Sequence, residues 1–458
     1  MRQILITGDR SGSGKTSITL ALAALLSRTC RVQTFKVGMD YIDPSYLAAV
    51  SGRPCRNLDS YTLSGSQVRD IFRFGCQGAD MAIVEGVRGL YEGAEALSDT
   101  GSTAAIAKTL DLPVILVVSA QSITRSAAAI VRGFQAFDPD IRIAGVILNN
   151  IKGGSHKDKA VTAIEHYCGV PVIGAIPRME EMHLAMRHLG LVPYREGSGR
   201  GDFDMRITTI TDMIGRYVDL DRFVSLMKDA EADDNLPKTF SRAPARDIRI
   251  GVALDEAFNF YYADLFDILH SLGADYVPFS PLHDRLPEAD GFIIGGGYPE
   301  LFASGLEAND RMREAVREVS LNGTPFYAEC GGLMYLTGRI VLKKGWQGSA
   351  QESSARMCGV FSGETRMPAR RVVSYVEGTS DTASPMGRAS FRGHEFHYSE
   401  VVLDEKTHFS YRLTRGVGIR DDSDGAVTSN TLGSYTHLHP VASVGMFRHF
   451  VGLCRKKH

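Results

Sequence analysis

The sequence predicts an α/β protein of two domains in tandem, each built on a parallel sheet wrapped by helices. Three observations carry that expectation. Short β-branched runs alternate with helix-length stretches from residue 1 to about residue 193, and the same alternation restarts near residue 248. Between them, residues 196–246 change texture to glycine, charge and proline. Strand, helix, strand at this pitch is the pattern of βαβ units. A chain of 458 residues is also too long for one ordinary core. The expected boundaries are 1–195 for the first domain, 196–246 for a linker carrying some helix, and 247–458 for the second domain.

Composition narrows the setting. Hydrophobic residues at 44% and charged residues at 23% fit a soluble globular protein. With a net charge of −2 and no basic stripe, no nucleic-acid partner is expected, and the cluster at residues 455–457 reads as a solvated tail. Seven scattered cysteines, without a CxxC pair, suit a reducing compartment. The chain opens directly on a buried-strand pattern, so neither a signal nor a transit peptide is expected. No apolar run approaches the roughly 20 residues that span a bilayer, so no membrane partner is expected either. The expected location is cytoplasmic.

The strands expected in the first domain are residues 4–7, 32–37, 81–84, 114–118, 143–148 and 172–176. Several are almost wholly apolar, as strands buried on both faces are. Residues 15–26 and 126–137 have helical patterns between them. The first strand ends in Gly8-Asp-Arg-Ser-Gly-Ser-Gly-Lys-Thr16, immediately before a helix. Glycines let backbone N–H groups face one anion, and the helix N-terminus adds its partial positive charge. Gly8, Ser11, Gly12, Ser13, Gly14, Lys15 and Thr16 are therefore the expected nucleotide-binding residues, with Lys15 on the β/γ-phosphates and the Thr16 hydroxyl on Mg²⁺. Five residues separate Gly8 from Gly14, one more than the strict phosphate-loop spacing.

Carboxylates follow on the same sheet edge. Asp40 and Asp43 lie just past the second strand and Glu85 follows the third. Ligands of open parallel sheets collect beyond the C-terminal strand ends. Alone, any one of these acids reads as a turn or a cap. Together, beside a phosphate loop, they read as a magnesium site in which Thr16, Asp43 and Glu85 are the expected ligands.

In the second domain, strand patterns at residues 248–254 and 291–295 precede a third at 324–328. The last runs into Glu329-Cys-Gly-Gly-Leu333 and a helix. A cysteine at such a strand-to-helix turn is held out of the sheet with its sulfur at the helix N-terminus, which favours the thiolate. Glycines allow the strained turn. Far downstream, His437 and His439 alternate onto one strand face, and either offers a base. The Gly295–Glu300 run offers backbone N–H groups for an oxyanion hole, expected from Gly296 and Gly297 together with Gly331. Cys55, Cys76, Cys168 and Cys358 read as buried hydrophobes.

With these motifs in place, the chain resembles the cobyrinic acid a,c-diamide synthases over essentially its whole length. The resemblance rests on the Ser-Gly-Ser-Gly-Lys-Thr loop, Asp40-Tyr-Ile-Asp-Pro44, Val84-Glu-Gly-Val87 with Gly89-Leu-Tyr91, and Arg187-His-Leu-Gly-Leu191. It extends through Gly295-Gly-Gly-Tyr-Pro-Glu300, Ala328-Glu-Cys-Gly-Gly332, Gly393-His-Glu-Phe-His-Tyr398 and Ser434-Tyr-Thr-His437. It implies a dethiobiotin-synthetase-like P-loop domain, whose phosphate loop has the longer spacing, fused to a triad-type, flavodoxin-like glutaminase domain. It implies ATP, Mg²⁺ and L-glutamine as co-reactants and a tetrapyrrole polycarboxylate as acceptor. Cys330 would be the nucleophile and His437 its base, with Asp40, Asp43 and Glu85 catalytic in the first domain. No Glu follows His437 two residues later, so the third triad member stays open. A homodimer is admitted.

Departures from the family pattern cluster beside the expected acceptor site. Met39 replaces a proline, Arg88 a methionine and Glu92 an aspartate. With Tyr41 and Tyr91 of the same motifs, Arg88 and Glu92 form the expected substrate-binding set, and they point to a changed acceptor such as nickel-sirohydrochlorin. Three rival readings remain: a switch ATPase, a cobyric acid synthase and a non-catalytic glutamine sensor. A Cys elbow is useless to a switch, Asp-Tyr-Ile-Asp-Pro argues against the cobyric acid synthase, and an intact Lys15, Thr16, Glu85 and Cys330 argues against a sensor.

Overall fold

The computed structural model describes residues 1–178, 186–187, 190–191, 201–231, 235–241, 243 and 247–456. The expected boundaries at 195/196 and 246/247 and the middle of the Arg187–Leu191 motif adjoin or lie outside these residues. The chain divides into two compact units, Met1–Pro237 and Lys238–His458.

The first unit begins β1 (Arg2–Gly8), α1 (Lys15–Ser27), β2 (Val32–Val37), α2 (Ile42–Ser51), β3 (Arg56–Leu58) and α3 (Gly65–Cys76). It continues β4 (Met81–Gly89), α4 (Thr103–Leu110), β5 (Val114–Ser119), α5 (Arg125–Phe137), β6 (Ile143–Ile151), α6 (Gly154–Cys168) and β7 (Val172–Pro177). The seven strands run parallel in the order β3-β2-β4-β1-β5-β6-β7. Ile4, Leu5, Ile6 and Val114 to Val118 are fully buried, which explains why these strands read as unbroken apolar runs. Register places Lys36 of β2 beside Glu85 of β4, and Glu85 beside Ile6 of β1. One row across three strands thus carries an ammonium and a carboxylate to the edge where the phosphate loop begins. Glu85 stands inside β4 rather than after it, because that strand continues to Gly89.

Part of the expected linker belongs to this first unit. The helix Gly201–Tyr217 buries Ile210 and Ile214, and its Gly215 lies against Leu25 of α1. The short strand Lys228–Asp229 pairs antiparallel with the start of β1. Apolar residues at helical spacing, masked in the sequence by their charged neighbours, tie this stretch down.

The second unit is organised by a ten-stranded mixed sheet. Its parallel half runs Ala274–Phe279, Ile248–Ala253, Gly291–Ile294, Phe326–Glu329, Thr431–Ser434. The antiparallel half continues Ser423–Thr428, His408–Arg415, Val372–Ser380, Ser390–His397, His437–Leu438. The last strand follows Thr431–Ser434 in the chain after only two residues, yet lies five places away in the sheet order. Three peptide units reach at most about 11 Å, so the antiparallel half must curl back on itself. A separate four-stranded sheet holds Arg339–Leu342, Ser353–Arg356, Gly363–Met367 and Glu400–Leu403. Among the described residues, no helix is long and apolar enough to cross a membrane.

Candidate active site

The phosphate loop is shaped by its glycines. Gly12 and Gly14 have φ of +78° and +92°, where a side chain is strained. A Cβ on Gly14 would also stand 2.2 Å from the Asn149 amide nitrogen, which donates to the Ser13 carbonyl at 2.9 Å. Ser11 and Gly12 are exposed, whereas Ser13 is buried beside Gly8. Lys15 opens α1, and its Nζ lies 3.7 Å from Glu85 Oε1. Burial, and then the nearby Lys36, lower the Lys15 pKa.

Beside the loop, Thr16 Oγ1 donates to Glu85 Oε1 at 2.7 Å and approaches Asp43 Oδ2 at 3.4 Å. Lys36 Nζ donates to Asp43 Oδ2 at 2.5 Å and to Glu85 Oε1 at 2.9 Å. Burial opposes the Lys36 charge, but Asp43, Glu85 and Asp40 outweigh it and raise the pKa. Asp43 is lowered because Lys36 and Lys15 outweigh its burial. Asp40 is pushed up to about 7 by burial and by Asp43. Its oxygens accept from the Ile42 and Asp43 N–H groups at 2.9 and 3.3 Å, capping α2. Asn57 Nδ2 donates to the carbonyls of Gly38 and Asp40, fixing the loop that presents these acids.

This donor set suits a magnesium ion. Glu85 Oε2 is buried with no hydrogen-bond partner, so one carboxylate oxygen is left for a cation. Among the described residues, no cage of three or more His, Cys, Asp or Glu side chains forms. A hydroxyl and two carboxylates are what Mg²⁺ needs when water and phosphate oxygens complete its octahedron.

Of the expected substrate residues, Arg88 lies at the end of β4 and Tyr41, Tyr91 and Glu92 lie in the loops after β2 and β4, and not all face outward. Arg88 is exposed with φ +51°, and the Glu92 carboxylate packs over Gly89, where a Cβ would stand 2.2 Å from Oε2. Tyr41 precedes α2. Tyr91 donates its hydroxyl to the Phe134 carbonyl at 2.7 Å and packs against Phe134 and Phe137. Tyr91 therefore braces the β4 loop against α5, which differs from the expectation of a free substrate contact.

In the second unit, Cys330 sits between the strand Phe326–Glu329 and the helix Gly331–Leu336 with φ +48° and ψ −97°. Its N–H donates to the Ser434 carbonyl at 2.7 Å, and its Sγ lies 3.8 Å from the Phe396 carbonyl. Gly331 meets Gly297 so closely that a Cβ would stand 3.0 Å from the Gly297 nitrogen. Gly296 abuts His437, where a Cβ would stand 2.8 Å from Cε1. The three glycines expected for an oxyanion hole are thus gathered around the cysteine and its histidine.

His437 Nδ1 lies 3.3 Å from Glu329 Oε2, leaving Nε2 for the Cys330 thiol. Burial opposes its charge, but hydrogen bonds with Cys330 and Glu329 outweigh that and raise its pKa to about 10. Glu329 Oε1 in turn accepts from the Leu438 N–H at 2.9 Å and from the Tyr327 hydroxyl. Asp424 accepts from the Tyr435 and Thr436 N–H groups and the Thr436 hydroxyl, pinning the turn that delivers His437. His439 turns elsewhere, with Nε2 3.8 Å from Asp264 Oδ2, so the two histidines do not share the thiol. The other cysteines predicted as hydrophobes are buried, and burial raises the thiols of Cys55, Cys76, Cys168 and Cys358.

Comparison with known proteins now bears on both sites. Residues 4–192 match the CobQ/CobB/MinD/ParA nucleotide binding domain, and residues 249–443 match the CobB/CobQ-like glutamine amidotransferase domain. The chain is 52% identical over 460 residues to the cobyrinate a,c-diamide synthase of Methanosarcina acetivorans, covering 96% of this chain and 93% of that one. The same identity and coverage hold for the enzyme of Methanosarcina barkeri. The enzyme of Methanothermobacter thermautotrophicus is 41% identical over 444 residues, covering 95% of this chain and 96% of that one. The chain belongs to the cobyrinate a,c-diamide synthase family.

The geometry brings out three residues that the motifs alone did not single out. Lys36 lies inside β2 among other polar residues, Asn149 lies within β6 two residues before its end, and Glu329 directly precedes the nucleophile. The α/β fold of both domains and the family resemblance agree with the matches.

Proposed function

We propose that this chain is a ligase that amidates the a and c acetate carboxylates of a tetrapyrrole polycarboxylate in cobalamin biosynthesis, drawing nitrogen from glutamine and energy from ATP. One observation carries the reading: a Cys330–His437–Glu329 triad and a phosphate loop with a Lys36–Asp43–Glu85–Thr16 cluster coexist in one chain.

Glutamine hydrolysis follows from the triad. Cys330 Sγ attacks the side-chain amide carbon, and N–H groups of Gly297 and Gly331 receive the oxyanion. His437, held charged by Glu329, gives its proton to the departing ammonia. Water, deprotonated by His437, then cleaves the thioester and releases glutamate. In the first unit, an acetate oxygen of the acceptor attacks the γ-phosphorus of ATP and ADP departs. Ammonia attacks the resulting acyl phosphate and inorganic phosphate leaves. Lys15 and Lys36 stabilise the charge that builds on the transferred phosphoryl group. Thr16, Asp43 and Glu85 would hold Mg²⁺, which neutralises phosphate charge when bound. Asp40 and Asp43 orient Lys36 and the acceptor loop. The two sites answer two chemical needs: a carboxylate is a poor electrophile until phosphorylated, and free ammonia at neutral pH is mostly protonated, so glutamine serves as its source within the same chain.

The relatives' name favours cobyrinate as acceptor. Arg88, an exposed cation at the end of β4, favours a more acidic ring, for which nickel-sirohydrochlorin is the second candidate. Work in the cytoplasm, as a homodimer, completes the reading. The test offers cobyrinate and nickel-sirohydrochlorin separately with ATP, Mg²⁺ and glutamine, and reads products by mass. Two successive replacements of OH by NH₂ on one acceptor are expected, and Cys330→Ser should then work only with added ammonia. ATP hydrolysis with neither acceptor modified would refute the ligase and favour a switch ATPase.

A further inference from the structure

The Gly393–Tyr398 motif plays no part in the chemistry above, yet His394 is buried beside the reacting groups. It lies on the strand Ser390–His397, directly opposite His437 in the antiparallel register. Directly opposed residues project from the same face of a sheet. Their rings stack accordingly, with centroids 4.9 Å apart and planes 24° from parallel. We propose that His394 is a positioning residue for glutamine hydrolysis: its ring, laid on the face of His437, fixes the plane in which that imidazole meets Cys330.

His437 stands on a strand of only two residues, so its backbone alone constrains the ring weakly. Three contacts supply the constraint. Glu329 holds Nδ1, and Gly296 fills the space at Cε1 so tightly that no side chain fits there. Neither contact blocks the ring from rocking out of plane about the axis they define. The flat face of His394 does.

His394 is itself braced from behind. Tyr262 lies against it at a tilt, with centroids 6.5 Å apart, and packs tilted on His439 at 4.8 Å. Val441 N–H donates to His439 Nδ1, and Nε2 of the same ring faces Asp264. A backbone donor at one nitrogen and a carboxylate at the other leave His439 little freedom, and Tyr262 passes that rigidity to His394. Burial, and then the positive charge of His437, hold His394 well below the ordinary histidine pKa, so an uncharged ring flanks a charged one. An imidazolium over the face of a neutral aromatic ring is an attractive pairing.

The inference rests on Cys330 and His437 being the hydrolytic pair, so Cys330→Ala is assayed alongside. The variants are His394→Leu, which fills the space without a flat face, and His394→Phe, which keeps the face without the nitrogens. Glutaminase kcat should fall ~10- to 100-fold in His394→Leu while the KM for glutamine changes less than about threefold, as expected of lost orientation rather than lost binding. His394→Phe should restore most of kcat. Equal kcat in the two variants, whether both normal or both impaired, overturns the inference. Thermal unfolding checks that each variant folds, and His394→Met replaces the leucine variant if it does not, with the same two outcomes. Should Cys330→Ala still hydrolyse glutamine, the assignment of the site itself fails. A dead Cys330→Ala beside indistinguishable His394 variants rejects only the positioning role.

Discussion

Charge at the cysteine site is concentrated on one buried histidine. The folded pKa of His437 is raised from 6.5 to about 10, so its proton stabilises the fold fully below pH 6.5 and that contribution fades as pH rises through 10. The second unit should therefore lose stability between pH 7 and 10 in urea unfolding. Glu329→Gln, which removes one source of the shift, should flatten that slope, and an unchanged slope would show that Glu329 does not hold the charge. The same substitution should lower glutaminase kcat by roughly 10²-fold or more while sparing ammonia-dependent amidation. In the first unit, Lys36 is the corresponding residue. Lys36→Met should slow ATP-driven amidation ~10²–10³-fold and leave glutamine hydrolysis intact. Loss of both activities together would mean that Lys36 serves the fold rather than the phosphoryl group.

Secondary-structure elements position these residues by close approach. The helix after the elbow touches the strand Gly291–Ile294 at Gly332, where a Cβ would stand 2.1 Å from the Ile294 carbonyl oxygen. Backbone cannot yield as a side chain can, so Gly332→Ala should cost ~1–3 kcal/mol, read as a lower Tm. Much of this element scale is legible in the sequence. The strand at residues 114–118 follows from its apolar run, that at 32–37 from its β-branched and aromatic residues, and the helix from Lys15 from the Gly-Lys-Thr punctuation. The region 339–390 is not legible in the same way, because its strands alternate burial, carry many charges and turn without a repeated motif. Glu329 escaped because local logic seeks a carboxylate after the histidine, whereas the fold supplies one from the nucleophile's own strand. Lys36 escaped because an ammonium inside a strand has meaning only once the fold sets two carboxylates beside it.

At the scale of the whole chain, each unit closes its own core, and one transition need not describe the unfolding of both. ATP with Mg²⁺ should raise the stability of the first unit and an unreactive glutamine analogue that of the second, by amounts growing with ligand concentration over Kd. Differential scanning calorimetry with each ligand checks this assignment. A glutamine analogue that raised only the first unit's transition would contradict the division of labour.

The curled half of the second sheet has a geometric consequence. His437 reaches the neighbourhood of Cys330 by two routes, directly along the chain from Ser434 and around a succession of hydrogen-bonded strands ending at Ser390–His397. A ring of this sort closes only if the registers along it are mutually consistent. Slipping any strand by one residue would turn its side chains to the opposite face and leave the last strand out of step with the first. The circuit thus acts as a parity check on the catalytic alignment. Single-residue insertions in Val372–Ser380 or His408–Arg415, in strands that supply none of the triad residues, should be felt at the thiol.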